Sequence, residues 1–176
     1  MTLDIGYIIR YIHNYDVGIP KGIILGGVVC MCGISVRMLL IKDRKPTVAR
    51  NSSLTFLCLY VFLMLYITVV YRHSSGNSAY VLNPLRNYII LNNRIIAEIF
   101  LNIVMFIPVG FLACCALSHP NFWKTCKVGA GLSIAIELTQ LFTERGICHI
   151  SDVVHNTMGC LLGYVFCRLL TLHKND

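Results

Sequence analysis

Apolar residues in this chain gather into five long runs separated by short polar segments. The runs are Gly22 to Ile41, Leu54 to Tyr71, Ile95 to Leu117, Val128 to Thr143 and Val153 to Leu172. Crossing about 30 Å of hydrocarbon at about 1.5 Å per residue takes roughly 20 mostly apolar residues. All five runs reach or approach that length. The pattern predicts an all-α, polytopic membrane helix bundle of about five transmembrane helices. The fourth run is short, so its helix must extend through Cys126 and Lys127, lie in a thinned patch of bilayer, or be sheltered by its neighbours. Ahead of the first run, Ile5, Ile8, Ile9 and Ile12 recur at helical spacing beside Tyr7, Arg10 and Tyr11. That spacing suits a short helix lying in the membrane interface, or else a frayed tail. Residues 1–53 then hold this segment, the first membrane helix and a basic loop. Residues 54–172 form a four-helix membrane domain, and 173–176 a tail.

Composition sharpens the picture. With 56% apolar residues among 176, too little polar sequence remains to coat a soluble bundle of buried helices. Asp4 interrupts the stretch where a signal peptide carries positive charge, and no small-residue cleavage site follows a compact apolar core, so Met1 to Pro20 is expected to stay attached. The net charge of +7 is spread over loops between spans with no soluble domain beside it. Membrane lipids with anionic headgroups are therefore the expected partner, and nucleic acid is not. Of nine cysteines, Cys30, Cys32, Cys58, Cys114, Cys115, Cys160 and Cys167 fall inside the runs, where thiols pack as small apolar groups. Cys30-Met-Cys32 and Cys114-Cys115 lack metal-site spacing, and neither a metal nor a cofactor is expected.

Orientation follows from the densest basic loop, Lys42-Asp43-Arg44-Lys45 with Arg37 and Arg50 beside it. The positive-inside bias assigns this loop to the cytoplasm, together with Lys124, Lys127, Arg168 and Lys174. The expected protein is a multi-pass plasma-membrane protein with its N-terminus outside and its C-terminus inside. Arg72, Arg86, Arg94 and Arg145 then lie against the bias, on the outer side. Alternating the helix directions brings the strongly polar residues of the later runs to that same leaflet. Asn102 lies about two turns into the third helix, Glu137 and Gln140 near the end of the fourth, and Asp152 and Asn156 open the fifth. Ser133, Glu137 and Gln140 share one helical stripe. Asp152, Asn156, Gly159 and Gly163 share another. Charges are costly against lipid, so both stripes should face protein. Gly159-x-x-x-Gly163 is a small-residue pair that lets another backbone come close, and Gly129 with Gly131 is a candidate for the same use. Pro108 lacks a backbone donor and leaves the Val104 carbonyl without its usual partner.

Two readings of the polar set stay open. Glu137, Arg145, Arg72 and Asp152 could form a buried ion-pair network that holds the bundle in register. Alternatively they line a site in which arginines take phosphate or carboxylate and Asn83, Asn102, Gln140 and Asn156 orient hydroxyls or amides. His149 and His155 stand at the same boundary and are chemically able to act as bases near neutral pH. The sequence holds no Gly-x-Ser-x-Gly, His-Glu-x-x-His or phosphate-loop motif.

The residues carry a resemblance. Arg72, Asn83-Pro84, Asn102-Ile-Val-Met-Phe-Ile-Pro108-Val-Gly110-Phe, Ser133-Ile-Ala-Ile-Glu137-Leu-Thr-Gln140-Leu-Phe, Arg145, Ser151-Asp152-Val-Val-His-Asn156-Thr-Met-Gly159 and Gly163, in this order, resemble the VanZ-like family over about Leu54 to Leu172. The resemblance implies a bacterial membrane protein associated with resistance to glycopeptide antibiotics of the teicoplanin type. It carries the family's polar signature onto Arg72, Asn102, Glu137, Gln140, Arg145, Asp152 and Asn156. One departure is Cys148-His149, where the family usually has an aromatic followed by an acidic residue. The expectation is a protein that binds an anionic envelope lipid or a cell-wall precursor in an outward polar cavity. An enzyme modifying a lipid headgroup, with Glu137 or Asp152 as base, is the alternative, and a lipid transporter or flippase is a third.

Overall fold

A computed structural model describes residues 4–14, 21–40, 46–71, 79–81, 83, 92–145 and 147–172. Six helices make up nearly all of it: α1 (Ile5–Asn14), α2 (Lys21–Leu40), α3 (Pro46–Leu65), α4 (Asn93–Ala116), α5 (Phe122–Phe142) and α6 (Ile150–Leu172). A π-helical turn, Tyr66–Val70, continues α3. Two three-residue strands, β1 (Ala79–Val81) and β2 (Ile147–His149), pair in parallel, with Tyr80 opposite Cys148 and Val81 opposite His149. These strands tie the segment after α3 to the segment entering α6, a link that the hydropathy pattern does not carry.

Local chemistry accounts for where the helices begin and end. Asp4 Oδ1 accepts the Tyr7 N–H at 2.9 Å and starts α1, a carboxylate at the positive end of a helix. Asn92 and Asn121 cap α4 and α5 in the same way, accepting from the N–H groups of Ile95 at 3.0 Å and Lys124 at 2.8 Å. Pro46 stands at the first position of α3, where a missing N–H costs nothing and the fixed φ suits a helix. At the end of α5, Glu144 has a φ of 54°. The Arg145 N–H bonds the Gln140 carbonyl at 3.0 Å and the Glu144 N–H bonds Leu141 at 3.3 Å. This double closure is the Schellman turn, here with glutamate in the left-handed position that glycine usually fills.

Among the described residues, three helices are long and apolar enough to cross a membrane: Thr47–Val70, Asn93–Ala116 and Ile150–Thr171. Within α2 the apolar core of described residues is shorter, Gly26–Arg37. The expected fourth crossing, α5, does extend back past Lys127 to Phe122 and reaches 21 residues. Lys124, Lys127, Glu137 and Gln140 make it the less apolar helix of the bundle's interior. Val29, Leu59, Phe62, Phe100, Phe166 and Leu169 are each more than half exposed on the outer surface. A water-soluble protein does not coat itself this way.

The most extensive helix contact among the described residues joins α4 and α6, which run parallel, with α5 connecting them in sequence. A Cβ on Gly159 would overlap the carbonyl oxygen of Ile103, one on Gly163 that of Ile107, and one on Gly110 that of Cys160. Glycine is required at these three positions because backbone lies directly against backbone. Gly129 likewise faces Cys160, whose Cβ would stand 2.7 Å from an added methyl, whereas Gly131 meets nothing within 4 Å. The two differ by about 200° around the helix, so one faces the partner and the other faces away. Farther along, Cys115 Sγ and Cys167 Sγ are 3.6 Å apart in the buried core. α4 remains a single helix through Pro108. The Tyr60 hydroxyl of α3 donates to the carbonyl of Met105 at 2.8 Å, next to the carbonyl that Pro108 deprives of its donor.

Candidate functional site

At the end where α4 and α6 begin, the helices separate around a cavity of about 590 Å³. Its walls come from α1, α2, α3, α4, α5, β2 and α6, so no single run of sequence contains it. The volume lies within the range of small-molecule sites. Toward the middle of the bundle it is closed by apolar side chains, among them Met64, Met105 and Pro108. Toward the end of the bundle it is lined by Arg94, Glu98, Asn102, Glu137, Gln140, His149, Asp152 and Asn156.

The helical period accounts for most of these side chains. Ser133, Glu137 and Gln140 of α5 are all buried, at 0%, 5% and 6% exposure, as their shared stripe requires. Ser133 Oγ accepts from Asn156 Nδ2 at 2.8 Å. Glu137 Oε2 accepts the backbone N–H of His149 at 2.8 Å, so the carboxylate of α5 fixes the start of the segment that leads into α6. Gln140 Nε2 donates to the Thr68 carbonyl at 3.1 Å. Asp152, in the first turn of α6, has the Asn102 side chain of α4 as a polar neighbour, and His149, His155 and Glu98 as charged or titratable ones. Asn102, Glu137, Gln140, Asp152 and Asn156 therefore line one space, though Asn102 and Asp152 stand 50 residues apart in sequence.

Arg145 has a different position. Its Nη1 donates to the carbonyls of Val69 at 3.2 Å and Val70 at 2.8 Å, and it does not line the cavity. The last carbonyls of a helix lack intrahelical donors, and a cation there also meets the negative end of the helix dipole. Together with Gln140, Arg145 closes the π turn at the end of α3. Asn83 is exposed and is not part of the lining. Arg72, Pro84, Arg86, the Lys42–Lys45 loop and the 173–176 tail lie outside the described residues.

Several lining residues escape a reading of the sequence. Glu98 continues the stripe Arg94, Glu98, Asn102 at i, i+4 and i+8, and accepts from Arg94 Nε at 3.0 Å. The spacing holds the signal, but Glu98 stands out only when the stripe is traced back from Asn102. Tyr11 of α1 donates to Glu98 Oε1 at 3.1 Å, and Asn93 Oδ1 accepts the Asp4 N–H at 3.3 Å. α1 is thus docked on α4 over the cavity, with Ile5 and Ile9 turned outward at 62% and 61% exposure. Tyr60 and Thr68 enter from α3, where nothing in their spacing marks them. His149 Nδ1 and Asn156 Oδ1 are buried without a hydrogen-bond partner. Outside the apolar helices, burial raises the Cys148 thiol above its ordinary pKa, and the charges of Glu137 and Asp152 add to the effect.

No curated protein and no solved structure matches the chain. A protein-family model described as VanZ/LLP1 does match, over residues 54–171. The match spans most of α3, all of α4, α5 and β2, and nearly all of α6, which supply most of the cavity wall, and the chain belongs to the VanZ/LLP1 family.

Proposed function

We propose that this chain is a multi-pass plasma-membrane protein, with its N-terminus outside and its C-terminus cytoplasmic, that holds an envelope lipid or cell-wall precursor by its headgroup. The observation that carries the reading is the cavity. Polar side chains from α4, α5 and α6 converge on one space of about 590 Å³, and helices in hydrocarbon keep such groups inside only at a cost of about 2.5 to 3.5 kcal/mol for each central charge. Met64, Met105 and Pro108 at the inner end suit an acyl or prenyl chain, and the acids and amides suit its head. A membrane protein occupied in this way lowers the access of lipoglycopeptide antibiotics to their target, in keeping with the resistance that the family resemblance implies. In a teicoplanin-challenged host, Glu137→Ala is expected to abolish the protection while the variant remains in the membrane. Full protection by Glu137→Ala at normal abundance would take the cavity out of the mechanism.

A further inference from the structure

Hydrogen-bond bookkeeping inside the cavity points to one class of ligand. The donors on its described wall are largely engaged by the protein itself. Gln140 Nε2 is bonded to Thr68, Asn156 Nδ2 to Ser133, the Tyr60 hydroxyl to Met105 and the Arg94 guanidinium to Glu98. Acceptors are left over. Glu98 is paired with the exposed Arg94, whereas the Asp152 carboxylate on the same described lining accepts only at 3.5 Å from the neighbouring Ser151 hydroxyl.

The second observation is independent of the acids. Asn156 is 97% buried, at 3% exposure, it lines the cavity, and its Oδ1 has no partner among the described residues. As the amide stands, Ser133 Oγ accepts from Nδ2 and the open end is Oδ1, an acceptor that asks for a donor from outside. A buried polar atom without a partner costs about 1 to 3 kcal/mol. His149 Nδ1, three residues before Asp152, is likewise buried without a partner.

Phosphate fits this wall badly, because it brings acceptors to acceptors and negative charge to carboxylates. A ligand's primary ammonium fits well: three donors and one positive charge meet an amide oxygen and the Asp152 carboxylate. We propose that the ligand of this cavity presents a primary ammonium group to the wall formed by Asp152, Asn102 and Asn156. The inference rests on the cavity being a ligand site, and it names the part of the ligand that the polar wall recognises. The ammonium belongs either to a lipid headgroup or to a soluble amine.

Two measurements on the full chain separate these outcomes. Native mass spectrometry of the purified protein is run with equimolar phosphatidylethanolamine, phosphatidylcholine and phosphatidylglycerol of identical tails. Calorimetry titrates ethanolamine into the protein in phosphatidylcholine nanodiscs. A preference of about tenfold for phosphatidylethanolamine over both other lipids, lost in Asp152→Asn and in Asn156→Leu, supports the inference with a lipid as the source. Ethanolamine binding lost in the same variants, without lipid retention, supports the ammonium site and overturns the lipid reading proposed above. Preference for phosphatidylglycerol, or equal retention of all three lipids with no ethanolamine binding, overturns the ammonium and leaves the lipid cavity standing. The wild-type competition decides the matter even if a variant fails to fold.

Discussion

The same pair of helices, α4 and α6, shows two opposite ways of using an interior. From Ile103 and Gly159 onward they press backbone against backbone, because Gly110, Gly159 and Gly163 carry no Cβ where the other helix lies. Immediately before Ile103 on α4, and about two turns before Gly159 on α6, Asn102 and Asp152 are polar neighbours, and beside them the bundle opens into the cavity. The seam gains dispersion contacts and weak Cα–H···O contacts because nothing bulky intervenes. At the cavity the contact is instead made by long polar side chains, Glu137 accepting the His149 N–H and Gln140 donating to the Thr68 carbonyl.

That contrast can be broken from the seam first. Gly163→Leu places a branched side chain on the Ile107 carbonyl and Phe111 N–H. It is expected to cost about 3 kcal/mol or more and to deplete the monodisperse, detergent-soluble fraction on size exclusion. A wild-type profile for this variant would mean that α4 and α6 are not in backbone contact. Next in size, Ser133→Ala removes the hydroxyl that holds Asn156. Interhelical hydrogen bonds in membranes average about 0.6 kcal/mol and reach about 1.7, so a thermal-shift assay should register a small drop in Tm with the fold kept. A larger loss would show that the polar wall supports the bundle rather than merely lining a space.

The electrostatics of the open end is sharpened by Cys148. Its pKa is raised by burial, then by Glu137 and Asp152, so the neutral thiol persists above the ordinary thiol range and thiolate forms only at higher pH. Alkylation by a maleimide should accordingly keep accelerating past that range. Asp152→Asn and Glu137→Gln should move the midpoint to lower pH, each full unit being worth about tenfold in rate at a fixed pH below it. An unmoved midpoint in both variants would place the carboxylates away from this thiol. The smallest effect is expected on the outward side of α5. Gly131→Ala adds a methyl where nothing lies within 4 Å and should gain up to about 1 kcal/mol from helix propensity. Measured beside Gly163→Leu, it separates glycines that serve packing from one that does not.

Particular residues show how far the sequence could be read. Ser133, Glu137 and Gln140 were legible as an inward stripe because the helical period acts within two turns of one chain segment. Asp152 and Asn156 were legible for the same reason, as was the approach of another backbone at Gly159 and Gly163. Arg145 was not. It is a charge just past a helix end, and its partners are carbonyls of a π turn 75 residues earlier, which exist only because α3 ends there in that geometry. Tyr11 and Glu98 belong to elements 87 residues apart, and no periodicity relates them.

Composition and period alone therefore determined that this is an all-α membrane protein, which faces of α5 and α6 turn inward, and where small residues permit close approach. These properties are local, set by the 3.6-residue turn and by the cost of placing polar groups in hydrocarbon. Which polar residue meets which was decided only in three dimensions: Arg145 goes to the end of α3, Asn102 to Asp152, and Asn156 keeps one end unoccupied. Such pairings depend on the distance between helices, and that distance is set by the glycine seam and the packing around it, a property that no single segment carries.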